Sequence, residues 1–135
     1  MIIFLFLGSR TLSRCETLKH WLVSFDPTLG KIACAFTVTD KYIHGGGVVQ
    51  GGIIASMLDF AMAMLSLAVV EDGYLVATTD LHTQFLKPAM PGTFIATATF
   101  TRKGRSAHFS KADIADAYNK LIATAIATNM ILPPK

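Results

Sequence analysis

The most regular pattern in the first third of the chain is an alternation of side chains between residues 31 and 39. The even-numbered positions from Ile32 to Val38 are apolar and face one side of a predicted strand, while the odd-numbered positions face the other. Residues 26–30 have the composition of a hairpin turn, which predicts a partner strand around residues 21–25. A short helix is predicted over residues 12–21.

A long apolar segment follows a glycine-rich loop at residues 41–50. Residues 51–70 contain one formally charged side chain, Asp59, and are apolar around nearly the whole circumference of a helix. The segment is long enough to span a bilayer, but an acid near its middle costs about 2.5–3.5 kcal/mol on insertion scales. We therefore predict a helix that is buried in protein rather than in a membrane.

Four further segments have the pattern of strands and are joined by short turns. They cover residues 74–86, 93–102, 105–116 and 120–130. Because the connections are short, each strand is expected to run antiparallel to its neighbours in sequence. In the first of them, alternation places Thr78 and Asp80 on the same face. One helix and about six antiparallel strands predict an α+β domain, in which a curved sheet wraps around the helix.

Composition narrows the class of protein. The 135 residues suit one domain, expected over residues 17–135, with residues 1–16 as an N-terminal extension. Hydrophobic residues make up 52% and charged residues 16%, which excludes intrinsic disorder and favours burial against a second copy. A net charge of +3 is too small to indicate nucleic acid binding. The two cysteines have no ligand or disulfide spacing, so we expect a cytoplasmic protein without a metal or other cofactor.

Asp59 is the residue that most needs a physical explanation. A lone buried carboxylate is costly unless it is hydrogen bonded or paired. On a helix it shares one stripe with Gly52, Ser56, Ala63 and Ser66, all of which are small. Small residues could simply let the helix approach the sheet closely. We favour the alternative, in which the stripe is the floor of a pocket and Asp59 is an acid, base or nucleophile.

The start of the predicted helix offers a second chemical group. Gln50-Gly51-Gly52 leaves bare backbone N–H groups at the positive end of the helix dipole, where they could stabilise an oxyanion, although the glycines could also serve only a tight turn. Asp59 lies about 12 Å further along the helix axis. One carbonyl group is not expected to reach both groups of a single chain. The site is therefore predicted to lie between two copies whose helices run antiparallel.

Residues 44–64, HGGGVVQGGIIASMLDFAMAM, resemble the hotdog-fold thioesterases, specifically the phenylacetic acid degradation (PaaI-like) branch that acts on acyl-coenzyme A thioesters. Segments at residues 78–81, 85–89, 102–105 and 120–125 extend the resemblance, which covers the chain from about residue 18 to residue 131. It implies a hotdog fold, hydrolysis of an acyl-CoA to a free acid and CoA, and a homodimer that pairs into a dimer of dimers.

The resemblance also implies roles for individual residues. Asp59 matches the family's general base or nucleophile, Gly51 its oxyanion amide, and Thr78 the residue that helps to hold the attacking water. The family usually has an amide side chain first and a histidine beside the glycine, whereas here His44 and Gln50 occupy these positions in exchanged order. Gln50 can only form hydrogen bonds. His44 could donate to the carbonyl or the departing thiolate, or could only cap the glycine loop.

A second group of residues is predicted to contact the substrate. They are Gly52, Met57, Phe60, Arg102, Gly104 and Arg105. The two arginines flank a tight turn and could bind the nucleotide phosphates of CoA, for which the guanidinium fork is suited, or could be solvated surface. The methionine and the phenylalanine could line an adaptable acyl channel or belong to the core.

Two other functions compete with hydrolysis. A non-catalytic module that binds or senses acyl-CoA is favoured by the exchange of His44 and Gln50, but such a module gains nothing from a bare carboxylate beside an acyl group. A hotdog hydratase or dehydratase would pair an acid with a histidine, an arrangement that Asp59 and His44 could imitate. Release of free thiol from acyl-CoA distinguishes these functions.

Overall fold

The computed structural model describes residues 19–40, 43 and 45–135, which form one sheet and one long helix. The elements are β1 (Lys19–Asp26), β2 (Lys31–Val38), α1 (Gly51–Leu67), β3 (Leu75–Phe85), β4 (Gly92–Lys103), β5 (Ala107–Asp116) and β6 (Leu121–Leu132). The predicted α+β architecture is therefore the observed one. The helix predicted over residues 12–21 is wrong at residues 19–21, which pair with β2 as part of β1, and the rest of that prediction lies outside the described residues.

The strands pair in the order β1-β2-β4-β5-β6-β3, and every pair is antiparallel. The pairs β1–β2, β4–β5 and β5–β6 are hairpins, and β3 runs antiparallel to β4 as expected. The two do not pair with each other, however, because β3 lies at the far edge beside β6. The connection at residues 86–91 contains Pro88 and Pro91, which cannot donate to a ladder. It passes the start of α1, where the Ala89 carbonyl accepts a hydrogen bond of 2.8 Å from the Val49 N–H.

The helix packs across one face of the sheet, against β2, β3, β4, β5 and β6. Its buried side chains meet large apolar residues on the strands, and each such burial contributes about 1.5–3 kcal/mol. The largest fully buried strand residues are Ile32, Phe36, Phe94, Ile114 and Ile122.

The helix ends at Leu67, three residues before the predicted end. Among the described residues, no helix has the length and apolar character needed to cross a membrane.

A bulge at Thr79 interrupts the pairing of β3 with β6. Thr78 pairs with Asn129 and Asp80 pairs with Thr128, so Thr79 has no partner across the ladder. The extra residue exchanges the two faces of β3 beyond this point. Asp80, which alternation predicted on the face of Thr78, therefore lies on the opposite face, and that prediction is wrong.

Candidate active site

Helix α1 and strand β3 bring Asp59 and Thr78 together near one edge of the sheet. Thr78 Oγ1 donates a hydrogen bond to Asp59 Oδ1 at 2.7 Å, and both residues are half-buried. The distance is short, as expected for a hydroxyl that donates to an ionised carboxylate. Within the described part of the chain, Asp59 has no other hydrogen-bond partner, so its second oxygen, Oδ2, is available to a ligand.

Thr78 is held in turn by Asn129, a residue that the sequence analysis did not single out. Asn129 Nδ2 donates to Thr78 Oγ1 at 2.9 Å, and Ser66 Oγ donates to Asn129 Oδ1 at 3.4 Å. Asn129 and Ser66 are both fully buried. One signal could have indicated this residue: an asparagine in the middle of a β-rich, apolar segment is unusual unless it has buried partners.

The first turn of α1 carries unpaired backbone donors, as the sequence predicted. Gln50 is the N-cap residue, with φ −60° and ψ 139°, and no side chain of the described residues caps the helix. The N–H groups of Ile53 and Ile54 bond to the Gln50 carbonyl, whereas those of Gly51 and Gly52 have no partner among the described residues. These two N–H groups remain available to a negatively charged oxygen at the positive end of the helix dipole.

A cavity of about 300 Å³ lies beside Gly51. Its walls are mostly apolar and come from the loop before α1, from α1 itself, from the end of β3 and from β6, with Val49, Ile54 and Ile122 among the lining residues. Phe85 closes one side, since a Cβ added at Gly51 would lie 3.1 Å from its Cζ. The helix start therefore combines free N–H groups with apolar space of the size of a small acyl or aryl group.

The remaining predicted residues occupy different surroundings. Met57 is fully buried in the hydrophobic core, and the half-buried ring of Phe60 lies 4.5 Å from that of His20 and 5.6 Å from that of Phe36. Gly52 is exposed, with open space where a Cβ would lie. The acyl-channel role of Met57 and Phe60 stays a prediction. Gln50 is exposed beside Gly52, and His44 lies outside the described residues.

Arg102 and Arg105 are exposed at the turn between β4 and β5. The turn requires a glycine at position 104 for a structural reason. The Gly104 N–H donates to the Ala107 carbonyl at 3.0 Å, and an added Cβ would lie 2.7 Å from that oxygen. The turn lies at the same end of the sheet as Thr78, since Lys103 and His108, His108 and Asn129, and Asn129 and Thr78 form successive cross-strand pairs. Three strand spacings separate the turn from Thr78 by roughly 14 Å.

His108, which pairs with Lys103 on one side and with Asn129 on the other, is a buried titratable residue and is 4% exposed. Burial and then the nearby Lys103 charge lower its pKa below the ordinary value, so it is neutral at pH 7. Its Nδ1 has no hydrogen-bond partner within the described residues. In the same part of the chain, no group of His, Cys, Asp and Glu side chains could hold a metal ion.

One sheet packed on one long helix is the architecture of the hotdog class of thioesterases. The chain belongs to the thioesterase superfamily, whose family model matches residues 46–123. This match confirms the prediction of a thioesterase-type enzyme.

Three known proteins illustrate the similarity. The chain is 31% identical to a candidate esterase of Saccharolobus solfataricus over 78% of this chain and 75% of that protein. It is 29% identical to acyl-coenzyme A thioesterase 13 of Homo sapiens over 78% of this chain and 74% of the human protein. The crystal structure of a phenylacetic acid degradation-related protein from Ralstonia eutropha JMP134 superposes with a TM-score of 0.89 and 31% identity, covering 96% of this chain and 99% of that one. The hotdog fold and the PaaI-like resemblance are thereby confirmed.

Proposed function

We propose that this protein hydrolyses acyl-CoA thioesters to a free acid and CoA, with Asp59 as the general base and the Gly51 N–H as the oxyanion donor. The observation that carries the proposal is the half-buried carboxylate of Asp59 held by the Thr78 hydroxyl at 2.7 Å. The name of the Homo sapiens relative, an acyl-coenzyme A thioesterase, supports CoA as the thiol part of the substrate.

The hydrogen bonds around Thr78 support a position for the attacking water beside this residue. A hydroxyl has one hydrogen and two acceptor lone pairs. The hydrogen of Thr78 goes to Asp59 Oδ1 and one lone pair accepts the Asn129 N–H. The second lone pair is left to accept one hydrogen of a water, whose other hydrogen points to Asp59 Oδ2. Such a water turns its own lone pair toward the thioester carbon.

The proposed reaction follows from these positions. Asp59 Oδ2 takes a proton as the water oxygen forms a bond to the thioester carbon, and the carbonyl π electrons move to its oxygen, where the Gly51 N–H stabilises the charge. Gln50 and His44 are the further donors proposed for this oxygen. Collapse of the intermediate breaks the C–S bond and releases a thiolate, which needs no strong acid because a thiol of this kind has a pKa of about 8.5. The cavity beside Gly51 accommodates the acyl group.

Direct attack by Asp59 is the second route. Oδ2 would form an anhydride with the acyl group, and water would then hydrolyse it. We favour the general base because the Thr78 hydroxyl stands where it can hold a water against the carboxylate. Incorporation of ¹⁸O into Asp59 during turnover in labelled water, measured by mass spectrometry of the peptide, would identify the direct route instead.

We propose that the complete site forms between two copies of the chain. Gly51 and Asp59 lie on one helix about 12 Å apart along its axis, which is too far for one carbonyl carbon to meet both. Among the described strands, none pairs with the outer edge of the eleven-residue β3, and its side chains Leu81 and Phe85 are 37% and 55% exposed. A long edge strand with exposed apolar residues is suited to pairing with another chain. A homodimer joined there would place one Asp59 opposite the Gly51 of its partner, and a dimer of dimers is the larger assembly expected.

The β4–β5 turn is proposed to bind the phosphates of the substrate. Arg102 and Arg105 are exposed there, at the end of the sheet that carries Thr78. Guanidinium groups bind phosphate with two parallel hydrogen bonds, so these side chains are proposed to hold the nucleotide end of CoA.

Thiol release from a panel of acyl-CoA compounds, from acetyl to palmitoyl and including phenylacetyl, tests the proposal. Asp59→Asn should lower kcat/KM by roughly 10²–10⁴-fold, because the amide cannot take the proton. Asp80→Asn is the matched control, since Asp80 is an exposed acid on the other face of β3, and it should retain the wild-type rate. Wild-type activity in Asp59→Asn would overturn the assignment. Calorimetric binding of acyl-CoA without thiol release by the wild-type protein would instead favour the non-catalytic binding module.

A further inference from the structure

We propose that Asn129 is a positioning residue that fixes the direction of the Thr78 hydroxyl, so that Thr78 donates to Asp59 and accepts from the attacking water. The proposal rests on the hydrolytic function proposed above. Asn129 lies on β6 directly opposite Thr78 and bonds to it at 2.9 Å. It does not contact the reacting atoms itself, and its effect passes through Thr78.

The direction of every hydrogen bond in this chain of four residues follows from the carboxylate at its end. Ionised Asp59 can only accept, so the single hydrogen of Thr78 must point to Asp59. Thr78 can then only accept from Asn129, which places the amide nitrogen, and not the amide oxygen, toward Thr78. The amide oxygen is left facing Ser66, whose hydroxyl must donate to it. The charge of Asp59 therefore sets the direction of each hydrogen bond as far as the buried hydroxyl of Ser66.

A fixed orientation has a chemical consequence for the water. If Thr78 donated its hydrogen to the water, the water would use a lone pair to accept it, and that lone pair would be lost to the attack on the thioester. The Asn129 N–H occupies one Thr78 lone pair and holds the threonine side chain in a single rotamer beside Asp59. Thr78 can therefore meet the water only as an acceptor.

The surroundings of Asn129 argue that this amide has a specific role. Asn129 is 0% exposed, and its neighbours on the same face of β6 are Ala127 and Ile131, both buried. A leucine or methionine could fill this space without the cost of desolvating an amide. The bulge at Thr79 lies immediately beside the Thr78–Asn129 pair. Bulges often occur next to active sites, where they redirect a side chain.

The test is a double-mutant cycle between Thr78 and Asn129, with kcat and KM measured separately. Asn129→Leu should lower kcat by roughly 10- to 100-fold with little change in KM, because the water is misplaced rather than the substrate. Thr78→Val should lower kcat as much or more. The double variant Thr78→Val/Asn129→Leu should have the kcat of Thr78→Val alone, because Asn129 has nothing left to orient. Multiplicative losses, or a kcat for Asn129→Leu within twofold of wild type, would overturn the proposal.

A second variant distinguishes the loss of positioning from a loss of the folded structure. Asn129→Asp keeps the shape of the side chain and its bond to Ser66 but replaces the N–H donor by an acceptor. It should lower kcat and move the acid limb of the pH–kcat profile to higher pH, because two neighbouring carboxylates resist ionising together. An unchanged pH profile would contradict the proposal. The outcome is separable from the function itself, since loss of activity in Asp59→Asn with full activity in both Asn129 variants would remove only the positioning role.

Discussion

The ring of Phe85 lies against Gly51, such that a Cβ added at Gly51 would be 3.1 Å from Cζ and 3.3 Å from Cε1 of the ring. The contact joins the end of β3 to the first residue of α1. It places an aromatic wall directly beside the N–H group that is proposed to stabilise the oxyanion. Gly51 thus lies between the cavity and the rest of its own helix. Substitutions at this position can separate the effect of its N–H group from the effect of the space that its missing side chain leaves.

Gly51→Pro is expected to lower kcat/KM by roughly 10²–10³-fold while the helix stays intact. Proline is favoured at the first helical position, and the extended conformation of Gln50, with φ −60° and ψ 139°, is one that a following proline accepts. The variant removes the N–H and also adds a ring, whose Cβ lies against Phe85. Gly51→Ala is the matched control, since it adds a Cβ against Phe85 but keeps the N–H. Equal losses in steady-state kinetics for both variants would show that crowding, and not the missing donor, is responsible.

Phe85→Ala should shift the substrate preference toward larger acyl groups. Removing the ring enlarges the cavity beside Gly51, so the ratio of kcat/KM for a long acyl-CoA to that for acetyl-CoA should rise by roughly tenfold or more. Phe109→Ala is the control, because Phe109 is a similarly exposed aromatic residue that pairs with Arg102 and Thr128 away from the cavity. An unchanged ratio in Phe85→Ala would mean that the acyl group binds elsewhere.

Mixing two inactive variants should restore activity if the site spans two subunits. Asp59→Asn keeps Gly51, and Gly51→Pro keeps Asp59, so a heterodimer of the two has one complete site. Random exchange of subunits should recover roughly one quarter of the wild-type rate, since half of the dimers are mixed and each mixed dimer has one of two sites. Thiol release is measured before and after co-refolding, with each variant refolded alone as the control. Failure to recover activity in verified heterodimers would place the site within one chain.

The difference between what the sequence predicted and what it missed has a physical basis. Asp59 could be found because it is the single charge in an apolar segment, and the N–H groups because two glycines begin the helix. The position of β3 could not be found, because nothing local distinguishes a connection that crosses the helix start from one that closes a hairpin. Asn129 was missed because its partner Thr78 is 51 residues away, and the register that joins them depends on a bulge with no special residue.

Stability should decrease as the pH falls below about 6.5, the ordinary pKa of histidine. Burial and then Lys103 lower the pKa of His108 in the folded state. Below the ordinary value the unfolded chain takes up a proton that the folded chain does not, so the unfolded state binds more protons and the free energy of unfolding decreases. The decrease ends once the pH is below the lowered pKa of the folded state.

Urea denaturation at pH 7.5, 6.5 and 5.5 measures this dependence. His108→Leu should weaken it, whereas His82→Leu, a change at an exposed histidine on β3, should not. An identical pH dependence in His108→Leu and wild type would contradict the prediction.

Cys34 should be inert to thiol reagents in the folded protein. It is buried in β2, and burial raises its pKa to about 12, so the reactive thiolate is almost absent at pH 8. In a Cys15→Ser background, a colorimetric thiol reagent at pH 8 should detect no cysteine in buffer and one per chain in denaturant. Rapid labelling without denaturant would contradict the prediction. The same inertness means that Cys34 adds no background to an assay of CoA release.

The bulge at Thr79 also explains how one strand can serve both parts of the site. Thr78 and Phe85 stand an odd number of residues apart, and in a regular strand they would point to opposite sides. Because the ladder skips one residue, Thr78 reaches Asp59 and Phe85 reaches Gly51 from the same side of β3. If Thr79 were instead paired regularly in the ladder, either the hydroxyl or the ring would turn to the opposite face of β3. The alternation along one strand thus lets each polypeptide carry both a water position and an acyl cavity, which it contributes to the two sites of the proposed dimer.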